Sequence, residues 1–291
     1  MKITEPDANL RQAATQGDLA ALDRLLALVQ PGIYNLAVRM LGNRDDAADA
    51  TQEILLKLVT HLASFRGEAA FSTWVWRIAR NHLLTARTRS AESPEVSLEG
   101  MAERLQAGLD FVDTVLHASG QPVPITPQDR LEARQVALGC TQNMLMTLTR
   151  DQRLAYVLDT VFGLPSQQAA EVVGISPEAY RQRLSRARSL LDAFTGQTCG
   201  LANPQARCHC ERQLPALRHL RAGGQAKVAS VVALHGSELQ EAERAFSAFT
   251  RVGDAAALFR AHPAYQAPDA MRAAIRAVLS QEGFLDPGAL Q

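Results

Sequence analysis

The chain has 291 residues, room for about two domains at ~150 residues each. It is 47% hydrophobic and 21% charged, with 30 Lys and Arg against 30 Asp and Glu, the profile of an ordinary globular protein. That balance argues against a wholesale basic coat for nucleic acid, no apolar run approaches the ~18 residues of a membrane span, and four cysteines make no disulfide scaffold.

The first seven residues, Met1 to Asp7, lack the apolar stretch of a secretory signal, so the expected compartment is the cytoplasm. The pattern that follows is helical almost throughout. Asp18 is placed to cap a helix carrying Leu19, Leu22, Leu25, Leu26 and Val29, with Pro31-Gly32 as its end. Ile33, Leu36, Ala37 and Met40 mark a second helix, stopping near Gly42. Asp45 is placed to cap a third, whose apolar residues Ala47, Thr51, Ile54, Leu55, Leu58 and Leu62 recur at spacings dominated by three and four. Its other face carries Asp46, Asp49, Gln52, Glu53 and Lys57.

After a loop over residues 64–70, Phe71, Trp74, Val75 and Ile78 form one stripe of a fourth helix running to about Thr88. Residues 65–89 hold five arginines against one glutamate, interleaved with Phe65, Phe71, Trp74 and Trp76. Cations that track phosphates and rings that stack on bases suit single-stranded nucleic acid. Trp76, Arg77, Arg80 and Asn81 fall away from the apolar stripe, which makes Trp76 the candidate exposed ring. No stretch alternates with period two, so no sheet is expected. Residues 90–126, broken by Pro and Gly, read as a linker with one short amphipathic helix around 101–116.

The most informative segment runs from Leu164 to Leu184. Ser166 is placed to cap a short helix with Ala169, Ala170 and Val173 inward. Gly174 supplies the positive φ of a tight turn, Ile175 plugs the angle, Ser176 is an N-cap, Pro177 fits the first helical position and Glu178 suits the positive helix end. This is a helix-turn-helix, whose second helix enters the DNA major groove. That helix carries Arg181, Arg183, Arg186 and Arg188 against Glu178 alone up to Leu191. Their planar donor forks match phosphates and guanine edges.

In order, Asp45-Asp46-Ala47-Ala48-Asp49-Ala50-Thr51-Gln52-Glu53 with Phe65-Arg66-Gly67-Glu68 and Trp74-Val75-Trp76-Arg77-Ile78-Ala79-Arg80-Asn81-His82 resembles region 2 of bacterial RNA polymerase sigma factors, in the extracytoplasmic-function (ECF) group. Residues 163–191 resemble region 4 of the same group. The resemblance implies an all-α fold, with a region 2 domain over residues 1–92, a linker over 93–134, a region 4 domain over 135–195 and a small helical extension over 196–291. It implies a non-enzymatic protein whose partners are core RNA polymerase and promoter DNA. Asp46, Asp49, Gln52, Glu53 and Lys57 then match the surface that docks on the polymerase clamp helices. Phe65, Arg66, Phe71, Trp76, Arg77, Arg80 and Asn81 match the part that captures the minus-ten element, with a flipped base taken by the 64–70 loop. Ser176, Glu178, Tyr180, Arg181, Arg183 and Arg186 match the helix that reads the minus-35 element. Ala179-Tyr180 departs from the small pair usual there, so Tyr180 either alters base preference or packs.

The extension opens with Cys199, Cys208, His209 and Cys210. Three readings stay open: a structural zinc site, with His219 or His235 as another ligand; a thiol switch, if Arg207 and Arg212 stand close enough to lower the thiol pKa; or plain cysteines in a loop. No other cofactor is expected. Val228, Val231, Val232, Leu234, Leu239, Phe246, Phe249, Leu258, Phe259, Ile275 and Leu279 suggest a helical module that packs on the domains before it and regulates them in cis. An anti-sigma partner is not specified by the sequence. The alternative is a conventional helix-turn-helix regulator that acts without polymerase, which leaves the aromatic-basic helix unexplained. No Walker loop, Gly-x-Ser-x-Gly, His-Glu-x-x-His or GxGxxG motif points to an enzyme.

Overall fold

The computed structural model describes residues 3–85, 97–116, 126–223, 237–238, 240–242, 244, 255–268 and 270–281. Among these residues there is no strand beyond an isolated bridge between Cys199 and Cys208. The fold is all-α. The expected helix texture at Val228, Val231, Val232, Leu234, Leu239, Phe246 and Phe249, and His235, lie outside the described residues.

Helices α1 (Ala8–Thr15), α2 (Leu19–Leu41), α3 (Arg44–Thr60) and α4 (Phe71–Thr85) pack into a first bundle around α2. Asp18 caps α2 by accepting from the amides of Ala20 and Ala21 at 2.8 and 3.0 Å. The expected break at Pro31-Gly32 does not occur: α2 runs unbroken through Pro31 to Gly42, which ends it at φ +71°. A proline inside a helix loses a backbone bond and costs ~3 kcal/mol. Here Leu25, Val29, Ile33, Leu36 and Ala37 on both sides of it are fully buried, and each large apolar side chain contributes roughly 1.5–3 kcal/mol on burial. Packing therefore outweighs the local penalty. Gly32 allows close approach, since an added Cβ would lie 2.8 Å from Ile3 Cγ1 and 3.3 Å from Trp76 Cη2. Asn43, and not Asp45, caps α3, accepting from the amides of Asp45 and Asp46.

Helix α5 (Leu98–Phe111) continues into a wider π turn (Val112–Leu116). Helix α6 (Pro127–Thr147) packs on α2 and leads into a second bundle of α7 (Arg150–Tyr156) with its own π turn (Val157–Val161), α8 (Ser166–Val173) and α9 (Pro177–Thr198). The two bundles are in contact. Buried Arg153 donates to the carbonyls of Leu145, Met146 and Leu148 at 2.8–3.0 Å, and to that of Met40 at the end of α2. Gln142 donates to the carbonyls of Val38 and Arg39.

The extension lies across both. Helix α10 (Cys210–Ala222) packs on α6 and α5, α11 (Ala255–Arg260) on α6, α9 and the Val157–Val161 turn, and α12 (Ala270–Gln281) on α3. No helix among the described residues is long and apolar enough to cross a membrane.

Candidate nucleic-acid and polymerase interface

The helix-turn-helix forms as its residues dictate. Gly174 ends α8 at φ +71°, a conformation that glycine adopts without strain. Ser176 accepts from the amide of Ala179 at 3.2 Å, and Pro177 opens α9. Ser166 does not cap α8. Its hydroxyl donates to Asp159 at 2.8 Å, and Pro165 holds the cap position. On α9, Ser176, Glu178, Arg181 and Arg186 are exposed to solvent. Arg183 pairs with Asp151 at 2.7 Å, and Arg188 with Asp159 at 2.7 Å, which fixes α9 on the turn before α8. Tyr180 is not a surface residue: it is fully buried and its hydroxyl donates to the carbonyl of Ala155 at 2.8 Å. Burial pushes its pKa up, so it stays a neutral donor inside the bundle.

The α4 surface departs further from expectation. Trp76, expected outside the core, is 1% exposed and packs on Gly32 and on Phe162 of the second bundle, while Trp74, expected in the core stripe, is only partly buried. Phe71 is fully buried in a cluster with Phe65 and Trp74, at ring separations of 5.2–5.5 Å. The expected division of α4 therefore fails at Trp76: Gly32 of α2 and Phe162 of the second bundle close over the side it occupies, and its ring joins the same core as Phe71. Arg77 is held by the side chain of Glu171 at 3.0 Å and by its carbonyl at 3.2 Å. Arg80 donates to the carbonyls of Val172 and Val173 at 3.3 and 2.9 Å. Asn81 and Arg66 are exposed, and Phe65 is half-buried beneath Arg11. At the start of α4 the Glu5 carboxylate accepts from the amides of Phe71 and Ser72 at 3.1 and 2.9 Å, an anion at the positive helix end.

On α3, Asp49, Glu53 and Lys57 are exposed, while Asp46 and Gln52 are partly covered. Lys57 meets His82 of α4 at 3.0 Å and Glu53 lies 3.8 Å from the same ring. Burial and the Lys57 cation lower the His82 pKa, with Glu53 opposing them.

The cysteines of the extension are joined by one that sequence reasoning passed over. Cys140 of α6 interacts electrostatically with Cys199, Cys208 and Cys210, so the four thiols of the chain gather at the α6–α10 junction. Burial raises the pKa of Cys140, Cys208 and Cys210. Arg207 and Arg212 do not serve these thiols, because both pair with Asp113, at 2.9 and 2.5 Å. His219 stacks on Phe111 at 4.7 Å, and His209 lies over Gly200. Among the described residues no group of three or more His, Cys, Asp or Glu side chains is arranged to hold a metal ion.

Comparison with known proteins matches residues 25–92 to the family description Sigma-70 region 2 and residues 138–191 to Sigma-70, region 4. The chain is similar to an RNA polymerase sigma-H factor of Pseudomonas aeruginosa, 31% identical over 196 residues, which cover 66% of this chain and 95% of that protein. It is also similar to ECF RNA polymerase sigma-E factors of Haemophilus influenzae (29% over 192 residues, 64% and 93% covered) and Escherichia coli K12 (28% over 190 residues, 64% and 92%).

Proposed function

The chain belongs to the ECF group of RNA polymerase sigma factors, and on that premise we propose how its surfaces divide the work. It binds core RNA polymerase and directs promoter recognition and transcription initiation. It works as a non-catalytic subunit in the cytoplasm, where the polymerase acts.

The exposed face of α3, with Asp49, Glu53 and Lys57 and the flanking Asp46 and Gln52, docks on the polymerase. Phe65 and Arg66 in the loop before α4, with Arg77, Arg80 and Asn81 on it, capture the opened strand. Extruding a base costs a few kcal/mol of stacking, repaid by contacts in the receiving pocket. Arg181, Arg183 and Arg186 on α9 read the upstream duplex. Phe71, Trp76 and Tyr180 support these surfaces from beneath. The observation that carries the reading is the presence of both matches in one chain, in order. A helix-turn-helix regulator acting without polymerase would leave the region 2 match without a role.

The extension regulates this activity in cis, a reading supported by its burial against both bundles. The test is run-off transcription with core polymerase on genomic fragments, using the full chain and a chain ending at Gly223. That end point keeps α10 on α6, whereas a cut after Thr195 would sever α9, where Thr195 is fully buried. Transcripts from either chain support the sigma reading, and a difference between the two supports regulation in cis. Equal output from the two would refute it.

A further inference from the structure

We propose that Cys199 and Cys208 form a reversible disulfide pair, a modification site whose co-reactant is a low-molecular-weight disulfide of the glutathione type and whose closure locks the extension onto α5. The site stands on the geometry of residues 196–223 and does not depend on the sigma reading.

The two cysteines face each other across the backbone. They pair in the isolated parallel bridge, and the amide of Gly200 donates to the carbonyl of Cys208 at 2.8 Å. Backbones paired in this way lie about 4.8 Å apart. A disulfide needs Cα atoms roughly 4.4–6.8 Å apart, so the pair closes without a backbone shift. The segment between the two is folded on itself. The Cys199 carbonyl accepts from the amides of Ala202 and Asn203 at 3.1 and 2.8 Å, and Asn203 Nδ2 donates to the carbonyl of Gly196 at 2.8 Å. The ring of His209 packs on Gly200, so the residues that follow the two cysteines hold each other in place. Both cysteines are partly exposed, which admits a small co-reactant.

Cys140 and Cys210 lie nearby but are poorer partners. Burial keeps both thiols protonated, and the thiolate is the nucleophile. At Cys208 a bond from Gln213 Nε2, at 3.5 Å, works against burial and favours the thiolate.

The reaction is a two-step exchange. One thiolate of the pair attacks a sulfur of the small disulfide, forming a mixed disulfide and expelling one small thiolate. The other protein thiolate then attacks the protein sulfur of the mixed disulfide. This closes the Cys199–Cys208 bond and expels the second small thiolate. The protein loses two electrons, the small disulfide gains them, and the two protons end on the small thiols. Excess small thiol runs the exchange backwards, as befits a pair in a reducing compartment.

The pair is roped to α5 from both sides. Arg207 and Arg212 flank it and both reach Asp113, just past the end of α5, at 2.9 and 2.5 Å. Gln213 donates to Cys208 Sγ and, at 2.8 Å, to the carbonyl of Leu105 within α5. Gly108 leaves the space that the Gln213 side chain fills, and Phe111 stacks on His219 at 4.7 Å. Closing the loop between residues 199 and 208 restricts its open states, so the groups that grip α5 are presented more of the time.

The test equilibrates the full chain in glutathione buffers from fully reduced to fully oxidised, then blocks free thiols and maps the peptides. The oxidised form should keep two of its four thiols free and yield one linked peptide joining Cys199 to Cys208. Added reductant should restore all four. Amide hydrogen exchange in α5 should slow by at least about tenfold on oxidation of the wild type. It should not respond in Cys199→Ser, and should respond as in wild type in the Cys140→Ser, Cys210→Ser double variant. The comparison of oxidised with reduced wild type needs no variant to fold. Four free thiols in every buffer, or linkage through Cys140 or Cys210, overturns the pair. So does stoichiometric zinc on the reduced chain that blocks oxidation until a chelator removes it. A bridge that forms with unaltered exchange in α5 overturns the lock.

Discussion

The indole of Trp76 and the ring of Phe162 lie 5.7 Å apart, one on α4 in region 2 and the other at the end of the π turn in region 4. Their contact is part of the seam between region 2 and region 4. Trp76→Ala should therefore cost about 3–5 kcal/mol, the range for a buried aromatic truncated to Ala. A double-mutant cycle with Phe162→Ala should show coupling of about 0.5–3 kcal/mol. Urea unfolding of the four proteins measures both. A near-zero cost for Trp76→Ala would place the indole in solvent.

Tyr180 lies on α9, the second helix of the helix-turn-helix, but its side chain acts on the bundle interior. Tyr180→Phe keeps the ring and removes one buried hydrogen bond, at a cost of about 0.5–1.5 kcal/mol. Preference for the upstream element should be unchanged, because the hydroxyl reaches Ala155 and not the groove. A selection from random duplexes that returned a different sequence for the variant would refute this.

Arg186→Ala should weaken binding to the cognate upstream element by about 1–3 kcal/mol if the side chain reaches a base edge. Arg183 must first leave Asp151, so Asp151→Asn should strengthen duplex binding modestly. Fluorescence anisotropy with the cognate duplex decides both, and undiminished binding by Arg186→Ala would move the reading surface off α9.

Asp49 and Glu53 lie one turn apart on the exposed face of α3. Reversing both to Lys should abolish co-purification with core polymerase while circular dichroism stays as in wild type. Undiminished co-purification would shift the docking surface elsewhere.

His262, buried with its ring nitrogens 2.6 Å from the hydroxyls of Thr141 and Tyr265, makes the packing of the extension sensitive to acid. Burial, and then the Arg39 cation, lowers its pKa from 6.5 to about 3. Folding therefore excludes a proton that the unfolded chain binds, so its contribution is fully present above pH ~6.5. Stability falls as the pH drops through the window from 6.5 towards 3, by up to about 1.4 kcal/mol per pH unit. Unfolding free energies of wild type and His262→Gln between pH 5 and 7 should differ in slope by up to this amount. Identical slopes would mean that His262 titrates normally.

The local grammar of this protein was legible residue by residue. Gly174, Ser176 and Pro177 set a turn and a helix start through their own backbone preferences, which require no distant partner. The same holds for Asp18 at the start of α2, and the ordered motifs around Asp49, Trp74 and Arg80 carried the family. What tertiary structure decided lies where long-range packing overrides or covers a local pattern. Pro31 sits inside an unbroken helix because the apolar residues around it gain more by burial than the proline costs. Trp76 and Tyr180 are buried because neighbouring elements, far off in sequence, close over the faces they occupy. Cys140 joins the other thiols only because α6 packs on α10. The partners of Tyr265 could not be read from its own segment, because its pairing with Asn35, Arg39 and His262 exists only once two bundles and an extension, separated by up to 230 residues, come together. A periodicity shows which face of a helix is apolar, and the packed chain determines what covers it.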